Sequence, residues 1–192
     1  MNSVKCLAVY CGSAAGSDPL FAEAARKTAE AMVSRGVDLI YGGGRLGLMG
    51  LMADNVLGLG GHVYGVIPTA LVDLEVAHTG ITELYTVETM HERKAKMTDL
   101  ADAFLALPGG IGTLDELFEV WSWNVLGYHR KPFCLLNVEG FWDGLIAFID
   151  HATESGFLSE QRRSQLLVAQ TPDQALEMLD EAAAAATQGM IW

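Results

Sequence analysis

The sequence predicts a doubly wound α/β fold in which helices cover both faces of a mainly parallel sheet. Short, nearly continuous apolar runs, such as residues 37–41 and 103–107, alternate with amphipathic segments along the chain. Runs of this kind are typical of parallel strands that are buried on both faces of the sheet. The 192 residues, of which 51% are hydrophobic, are expected to form one Rossmann-like domain over residues 1–192.

The expected elements are apolar runs bounded by capping residues, glycine and proline. Pro19 follows Asp18 at the first turn of a helix, and Gly36, Gly60 and Gly156 end helices. Thr89-Met90-His91-Glu92 matches a capping box that opens another helix. Residues 69–82 are less regular, and the alanine-rich tail from about residue 182 is expected to fray. The expected strands are residues 4–10, 37–41, 62–68, 83–87, 103–107, 132–137 and 166–169, and helices are expected near residues 18–35, 48–59, 90–101, 117–126, 141–155 and beyond 172.

Composition and charge exclude several classes of function. The formal net charge of −12 argues against an extended nucleic-acid interface but allows a small phosphate-bearing ligand. No apolar run reaches the roughly 18 residues that span a bilayer, so we expect no membrane partner and no signal peptide. The three cysteines, at positions 6, 11 and 134, lack CxxC spacing, which favours reduced thiols in the cytoplasm. No histidine has metal-ligand spacing, and we expect no metal.

The most informative stretch joins the apolar run at residues 103–107 to a following amphipathic helix. A glycine turn separates them, and a strand, glycine turn and helix in this order present backbone N–H groups to a phosphate. Three glycines also allow a ligand to approach the backbone closely. We therefore expect a phosphate cradle made of Pro108, Gly109, Gly110, Ile111, Gly112 and Thr113.

Glu116, one turn into the helix after this cradle, has two interpretations. Thr113-Leu114-Asp115-Glu116 matches a capping box, in which the Thr113 hydroxyl and the Glu116 carboxylate would cap the helix reciprocally. Alternatively, Glu116 acts on the ligand, because a carboxylate that lies close to a phosphate without a function would be repelled by it. Since Glu116 lies one helical turn after the cradle, its side chain would reach the sugar of a bound nucleotide instead of the phosphate.

A second glycine turn follows the second expected strand. Its Gly42-x-Gly44-x-x-Gly47 spacing matches a dinucleotide fingerprint, but no acidic residue ends the next strand, where one would bind the ribose. Three interpretations stay open: a nicotinamide-cofactor site, contact with phosphate or ribose alone, or a tight turn for helix packing. We favour the second of these.

Two helical segments add further candidates. Arg93, Lys94 and Lys96 supply three of the twelve cations within four positions, where they oppose the helix dipole. They form either a solvated helix face or, through Arg93, a contact with a ligand anion or a developing charge. Trp121 and Trp123 indicate core packing or a subunit interface.

Together these motifs resemble those of the LONELY GUY family of cytokinin-activating phosphoribohydrolases. The resemblance covers about residues 4–150 and rests on several separate motifs. They are Pro-Gly-Gly-x-Gly-Thr-x-x-Glu at residues 108–116, Met-x-x-Arg-Lys-x-x-Met at 90–97, Gly-Gly-Gly-x-x-Gly-Leu-Met-Gly at 42–50, Tyr-Cys-Gly-Ser at 10–13 and Leu-Asn-x-x-Gly-Phe at 136–141. Related bacterial proteins carry the label lysine decarboxylase, but none of the five lysines has the context of a Schiff-base cofactor site.

The resemblance implies a modified Rossmann fold, a homodimer or larger assembly, and no cofactor. It implies hydrolysis of a nucleoside 5′-monophosphate to free base and ribose 5-phosphate. Typical substrates would be N6-isopentenyl-adenine nucleotides, with AMP as a poorer or alternative one. Arg93 and Glu116 correspond to the residues usually assigned to catalysis. The implied substrate contacts are Gly12, Ser13, Gly43, Gly44, Met49, Glu75, Lys94, Pro108, Gly109, Gly110, Ile111, Gly112 and Thr113.

Hydrolysis of an N-glycosidic bond defines a hypothesis for each catalytic candidate. The sugar becomes oxocarbenium-like, so Glu116 would stabilise positive charge and activate water, as carboxylates do in glycosidases. Arg93 would orient the ribose or phosphate, or stabilise the departing purine. The alternative function is a non-catalytic nucleotide-binding or carrier module, in which Glu116 acts only as a helix cap.

Overall fold

A computed structural model describes residues 3–73 and 76–188. Its strands are β1 (Cys6–Tyr10), β2 (Asp38–Tyr41), β3 (Val63–Pro68), β4 (Glu83–Val87), β5 (Ala103–Ala106), β6 (Phe133–Leu136) and β7 (Leu166–Ala169). They form one sheet in the order β4-β3-β2-β1-β5-β6-β7, and every neighbouring pair is parallel. The predicted doubly wound α/β fold is therefore confirmed.

Helices cover both faces of this sheet, which explains why its strands are apolar throughout. The helices are α1 (Pro19–Ser34), α2 (Gly47–Gly58), α3 (Met90–Leu100), α4 (Ile111–Val125), α5 (Asp143–Glu154), α6 (Glu160–Arg163) and α7 (Pro172–Gln188). One core lies between the sheet and α1, α2 and α7, and includes Met32, Met52 and Leu179. The other lies between the sheet and α3, α4 and α5, and includes Met97 and Trp121.

The strand order reverses between β1 and β5. These strands pair in register from Leu7 with Ala103 to Tyr10 with Ala106, and the Leu107 N–H then donates to the Tyr10 carbonyl at 2.9 Å. Their carboxyl ends therefore place the loops at residues 11–17 and 107–110 side by side. This is the topological switch point at which open α/β sheets bind ligands.

The helix boundaries differ from expectation in several places. α4 begins at Ile111, earlier than the amphipathic run at residues 117–126 suggested. The short α6, capped by Ser159, was not predicted, and α5 begins at Asp143 after a 3-10 turn over Val138–Gly140. α7 continues to Gln188, so the alanine-rich segment is helical that far. In the described part of the chain, no helix is long and apolar enough to cross a bilayer.

Candidate active site

Three loops meet at the switch point and enclose a cleft. The Gly12 N–H donates to the Pro108 carbonyl at 3.1 Å, and the Leu48 N–H donates to the Gly12 carbonyl at 3.0 Å, which ties the loops after β1, β2 and β5 together. The cleft has a volume of about 360 Å³. Its described lining residues are Cys11, Gly12, Ser13, Met49, Leu71, Met90, Arg93, Gly110, Ile111, Gly112, Thr113, Asp115 and Glu116.

The amino terminus of α4 opens into this cleft. Gly110 is its N-cap and provides no side-chain cap, and the first backbone bond of the helix runs from the Leu114 N–H to the Gly110 carbonyl at 3.2 Å. The backbone N–H groups before Leu114 precede the intrahelical ladder, and the helix dipole adds partial positive charge there. This end of the cleft therefore favours an anion such as phosphate.

Gly109 allows the loops to approach each other closely. A Cβ atom at this position would lie 2.8 Å from the Thr113 Cβ atom and 2.9 Å from the Gly12 nitrogen. Neither distance is compatible with a side chain. The glycine at position 109 is therefore required by packing between the two loops and Thr113, which is itself only 3% exposed.

The capping-box interpretation of Thr113 and Glu116 is wrong. Because Gly110 is the N-cap, Thr113 is the third residue of α4 and Glu116 is the sixth. A capping box pairs the N-cap residue with the third residue of the helix, so Glu116 in the second turn cannot form one with Thr113. Glu116 instead lines the cleft.

α3 places Arg93 in the cleft wall. Thr89 caps this helix by accepting a hydrogen bond from the Glu92 N–H at 3.1 Å, as predicted, but the Glu92 carboxylate accepts from Glu88 instead of Thr89. Arg93 is 4% exposed, which excludes the solvated-face interpretation for this residue. Its Nη2 atom donates to the Gly42 carbonyl at 3.0 Å, and its Nη1 atom lies 3.7 Å from the Met90 sulfur.

If Arg93 acts in catalysis, as the sequence predicts, replacing Gly42 by alanine should lower kcat by roughly ten- to a hundredfold, because misplacement of a catalytic group by about 1 Å has effects of this size. A Cβ atom at Gly42 would overlap the Arg93 guanidinium and lie 3.3 Å from the Met49 sulfur. The flexible guanidinium can shift, so the fold should survive. Steady-state kinetics would measure the loss.

Gly144→Ala is the matched control for Gly42→Ala. Gly144 lies in α5, and nothing would lie within 4 Å of an added Cβ atom. This variant should keep full activity and gain about 0.4–1 kcal/mol of stability. Equal activity of the two variants would contradict a role for the Gly42–Arg93 contact.

The remaining glycines of the second turn serve backbone packing. Gly43 has a φ of +78°, and its carbonyl accepts the His78 N–H at 2.9 Å. Gly44 forms an antiparallel bridge with Ala77. Gly47 has a φ of +58°, and a Cβ atom there would overlap the Ser13 backbone. The tight-turn interpretation therefore fits this segment.

The electrostatics favour a carboxylate as the candidate base, and both Asp115 and Glu116 line the cleft. Burial, and then the charge of Glu116, raises the pKa of the Cys11 thiol. Burial, followed by Glu116 and Glu119, also raises the pKa of Tyr10 well above its usual value, although Arg93 opposes this. The thiol and the phenol therefore stay neutral near pH 7, so a carboxylate is the group suited to accept a proton from water.

Lys94 bonds to α4. Its ammonium lies 2.8 Å from Asp115 Oδ2 and 2.6 Å from Glu119 Oε2. Among the residues that the structure describes, Lys94 does not line the cleft. Its predicted contact with substrate therefore finds no support in this geometry.

The sequence relates this chain to named enzymes. A family model described as "Possible lysine decarboxylase" matches residues 49–179. Cytokinin riboside 5'-monophosphate phosphoribohydrolase LOG2 of Arabidopsis thaliana is 47% identical over 175 residues, covering 91% of this chain and 82% of that protein. Cytokinin riboside 5'-monophosphate phosphoribohydrolase LOG of Oryza sativa subsp. japonica is 46% identical over 186 residues, covering 97% of this chain and 77% of that protein. The chain belongs to the LONELY GUY family.

Solved structures share the LONELY GUY fold at low sequence identity. The molybdenum cofactor binding protein from Rippkaea orientalis matches with a TM-score of 0.70 and 19% identity, covering 92% of this chain and 96% of that one. The Moco carrier protein from Chlamydomonas reinhardtii matches with a TM-score of 0.68 and 16% identity, covering 94% of this chain and 98% of that one. At these identities the likeness concerns the fold alone.

The structure brings most of the candidate residues of this LONELY GUY protein together. Pro108 and Gly109 lie behind the turn and line an adjoining cavity of about 270 Å³, while Gly43 and Gly44 are buried in packing. Glu75 lies outside the described residues. The candidates that line the cleft are Gly12, Ser13, Met49, Arg93, Gly110, Ile111, Gly112, Thr113 and Glu116.

Two apolar residues of the cleft were not among the site candidates. Met90 lies three residues before Arg93, and this helical spacing could have identified it. Leu71 lies in the irregular segment at residues 69–82, which offers no periodicity. Within residues 3–73 and 76–188, no group of three or more His, Cys, Asp or Glu side chains is placed to hold a metal ion.

Proposed function

We propose that this chain hydrolyses the N-glycosidic bond of adenosine 5′-monophosphates, with or without a substituent at N6. The products are the free base, a cytokinin or adenine, and ribose 5-phosphate. The observation that carries the proposal is that Arg93 and Glu116 line one cleft beside a helix amino terminus, in a chain 46–47% identical to cytokinin riboside 5'-monophosphate phosphoribohydrolases.

The 5′-phosphate lies at the amino terminus of α4, where Gly110, Ile111, Gly112 and Thr113 present their backbone to the cleft. Gly12 and Ser13 line the same cleft. Binding of the phosphate positions the remote glycosidic bond, so binding energy contributes to the rate. The dephosphorylated nucleoside is therefore a poor substrate.

Glu116 acts on the anomeric carbon. As the bond from C1′ to the base nitrogen breaks, its electron pair leaves with the base and positive charge develops on the sugar. The Glu116 carboxylate stabilises that charge and accepts a proton from the attacking water, whose oxygen forms the new bond to C1′. The departing base nitrogen takes up a proton from solvent, and Glu116 returns its proton to solvent. Arg93, held by the Gly42 carbonyl, orients the sugar phosphate or stabilises the electron-rich departing base.

One assay tests this function. The purified protein is incubated with AMP and with isopentenyl-AMP, and free base and ribose 5-phosphate are quantified by chromatography. Release of both products from at least one nucleotide supports hydrolysis, and adenosine should react far more slowly than AMP. Measurable AMP affinity without product would instead support the non-catalytic carrier function.

The working form is a homodimer in the cytoplasm, or a larger assembly of the same chain. The three free cysteines are consistent with that compartment. An apolar groove of about 460 Å³ lies between α4 and the region around α5, beside exposed Leu126, Phe148 and Phe157. A contiguous apolar surface of this kind favours a second copy as its partner.

Replacing Leu126 and Phe148 by glutamate is expected to convert the assembly to a monomer, because two carboxylates would be buried without partners. Size-exclusion chromatography with light scattering would then give the 20.6 kDa of one chain. Leu59→Glu is the matched control, since Leu59 is 49% exposed at the end of α2. An unchanged mass of the double variant would contradict this interface.

A further inference from the structure

Lys94 joins the two helices that carry Arg93 and Glu116. It follows Arg93 on α3, and its ammonium lies 2.8 Å from Asp115 Oδ2 and 2.6 Å from Glu119 Oε2 on α4. Asp115 and Glu119 are four residues apart and therefore share one face of α4. Glu116 directly follows Asp115, so these ion pairs hold the turn of α4 that presents Glu116.

The ion pairs are partly sheltered from water. The side chains of Lys94 and Glu119 are 15% and 21% exposed, whereas that of Asp115 is 55% exposed. Water screens a sheltered pair less than a surface pair, so the bond to Glu119 should be the stronger of the two. It fixes α4 against α3 beside the cleft.

The ammonium also stays charged at neutral pH. Burial lowers the pKa of Lys94, but the hydrogen bonds to Asp115 and Glu119 outweigh this effect, and the pKa is raised from its usual value. A raised lysine pKa means that the ammonium is fully charged below the ordinary value of about 10.4 and loses its proton only above it. The contact between the helices therefore persists through the neutral range.

We propose that Lys94 is a positioning residue, which keeps Arg93 and Glu116 in register on the cleft wall and does not bind substrate. The proposal rests on the function proposed for the same cleft. Two carboxylates already hold the ammonium, and Lys94 is not among the described residues that line the cleft. Lys94 would then act on the rate through Glu116 and would leave nucleotide affinity largely unchanged.

Lys94→Met tests this role, because methionine keeps much of the length of the side chain and removes the charge. Its kcat for AMP or isopentenyl-AMP should fall by roughly ten- to a hundredfold, while KM stays within about threefold. Lys94→Arg should recover most of the lost kcat, since it restores a cation that can bond two carboxylates.

Arg35→Met is the matched control. Arg35 joins the end of α1 to α7 through Asp173 at 3.0 Å and Glu177 at 3.4 Å, and these carboxylates are also four residues apart. This is the same kind of bridge between helices, and its residues do not line the cleft. Arg35→Met should therefore leave both kcat and KM unchanged.

A double-mutant cycle locates the effect of Lys94. If Lys94 acts through α4, the double variant Lys94→Met, Glu119→Gln should lose no more kcat than Lys94→Met alone. If the double variant instead lost kcat by the product of the two single losses, the two residues would act independently, which would overturn the proposal.

Two further kinetic outcomes would also overturn it. A KM raised tenfold or more at unchanged kcat would make Lys94 a substrate contact. Unchanged kcat and KM would give it no role in catalysis. If the wild-type protein binds AMP but releases no base, the proposed function fails. The contact between the helices can then still be tested by thermal unfolding of Lys94→Met, Glu119→Gln and the double variant. Additive shifts of their unfolding midpoints would show that the two side chains do not interact.

Discussion

Replacing Glu116 by glutamine is expected to lower kcat for AMP or isopentenyl-AMP by about a hundredfold or more. Glutamine has nearly the same shape but carries no charge, so it can neither accept a proton from water nor offset positive charge on the sugar. Because Glu116 lies beyond the phosphate-binding end of α4, the KM should change little. Steady-state kinetics with detection of the released base would measure both parameters.

Glu30→Gln is the matched control for this variant. Glu30 is exposed on α1, so the same chemical change there should leave turnover unaltered. Circular dichroism and thermal unfolding should show that both variants keep the native fold. Near-normal turnover by Glu116→Gln would remove Glu116 from the mechanism and would favour the carrier function.

Replacing Arg93 by alanine is expected to have an effect of similar size, about a hundredfold in kcat or kcat/KM. The guanidinium is buried and donates to the Gly42 carbonyl, so its charge acts in a sheltered environment. A loss in kcat alone would indicate an interaction with the developing charge of the transition state. A rise in KM would indicate that Arg93 orients the bound nucleotide.

Stability must be measured beside activity for this second variant. Loss of the buried hydrogen bond to Gly42 should cost about 1–3 kcal/mol of unfolding free energy. Arg93→Lys keeps the charge but not the forked geometry of the guanidinium, and it should recover only part of the activity. Arg26→Ala on the exposed face of α1 is the control. Full activity of folded Arg93→Ala would refute the assignment.

Most of the fold could be predicted because its signals are local. Strands such as β5 appear as short apolar runs, and helix ends such as that of α1 are marked by glycine. The cap of α3 by Thr89 was also predicted, because a side chain encodes it. α6 was missed, since a helix of four residues is too short to show periodicity.

The start of α4 shows where local reasoning fails. The Thr113 to Glu116 pattern matched a capping box, but the N-cap is Gly110. Glycine has no side chain, so the sequence contains no capping signal at this position. Contact with the Gly12 loop and Thr113 instead decides how the turn around Gly109 folds. The difference matters for function, because Glu116 lines the cleft instead of capping the helix.

The sequence by itself determined the parallel α/β sheet, the glycine turn after β5 and the identity of Arg93 and Glu116 as candidates. The sheet and the glycine turn follow from composition, periodicity and local motifs, whereas the pairing of Arg93 with Glu116 came from the resemblance to the LONELY GUY family. Only the tertiary structure decided that Arg93 is held by Gly42, that Gly43 and Gly44 serve packing, and that Lys94 joins α3 to α4. Those contacts link residues that are distant in the chain, and their partners are set by how the helices pack on the sheet.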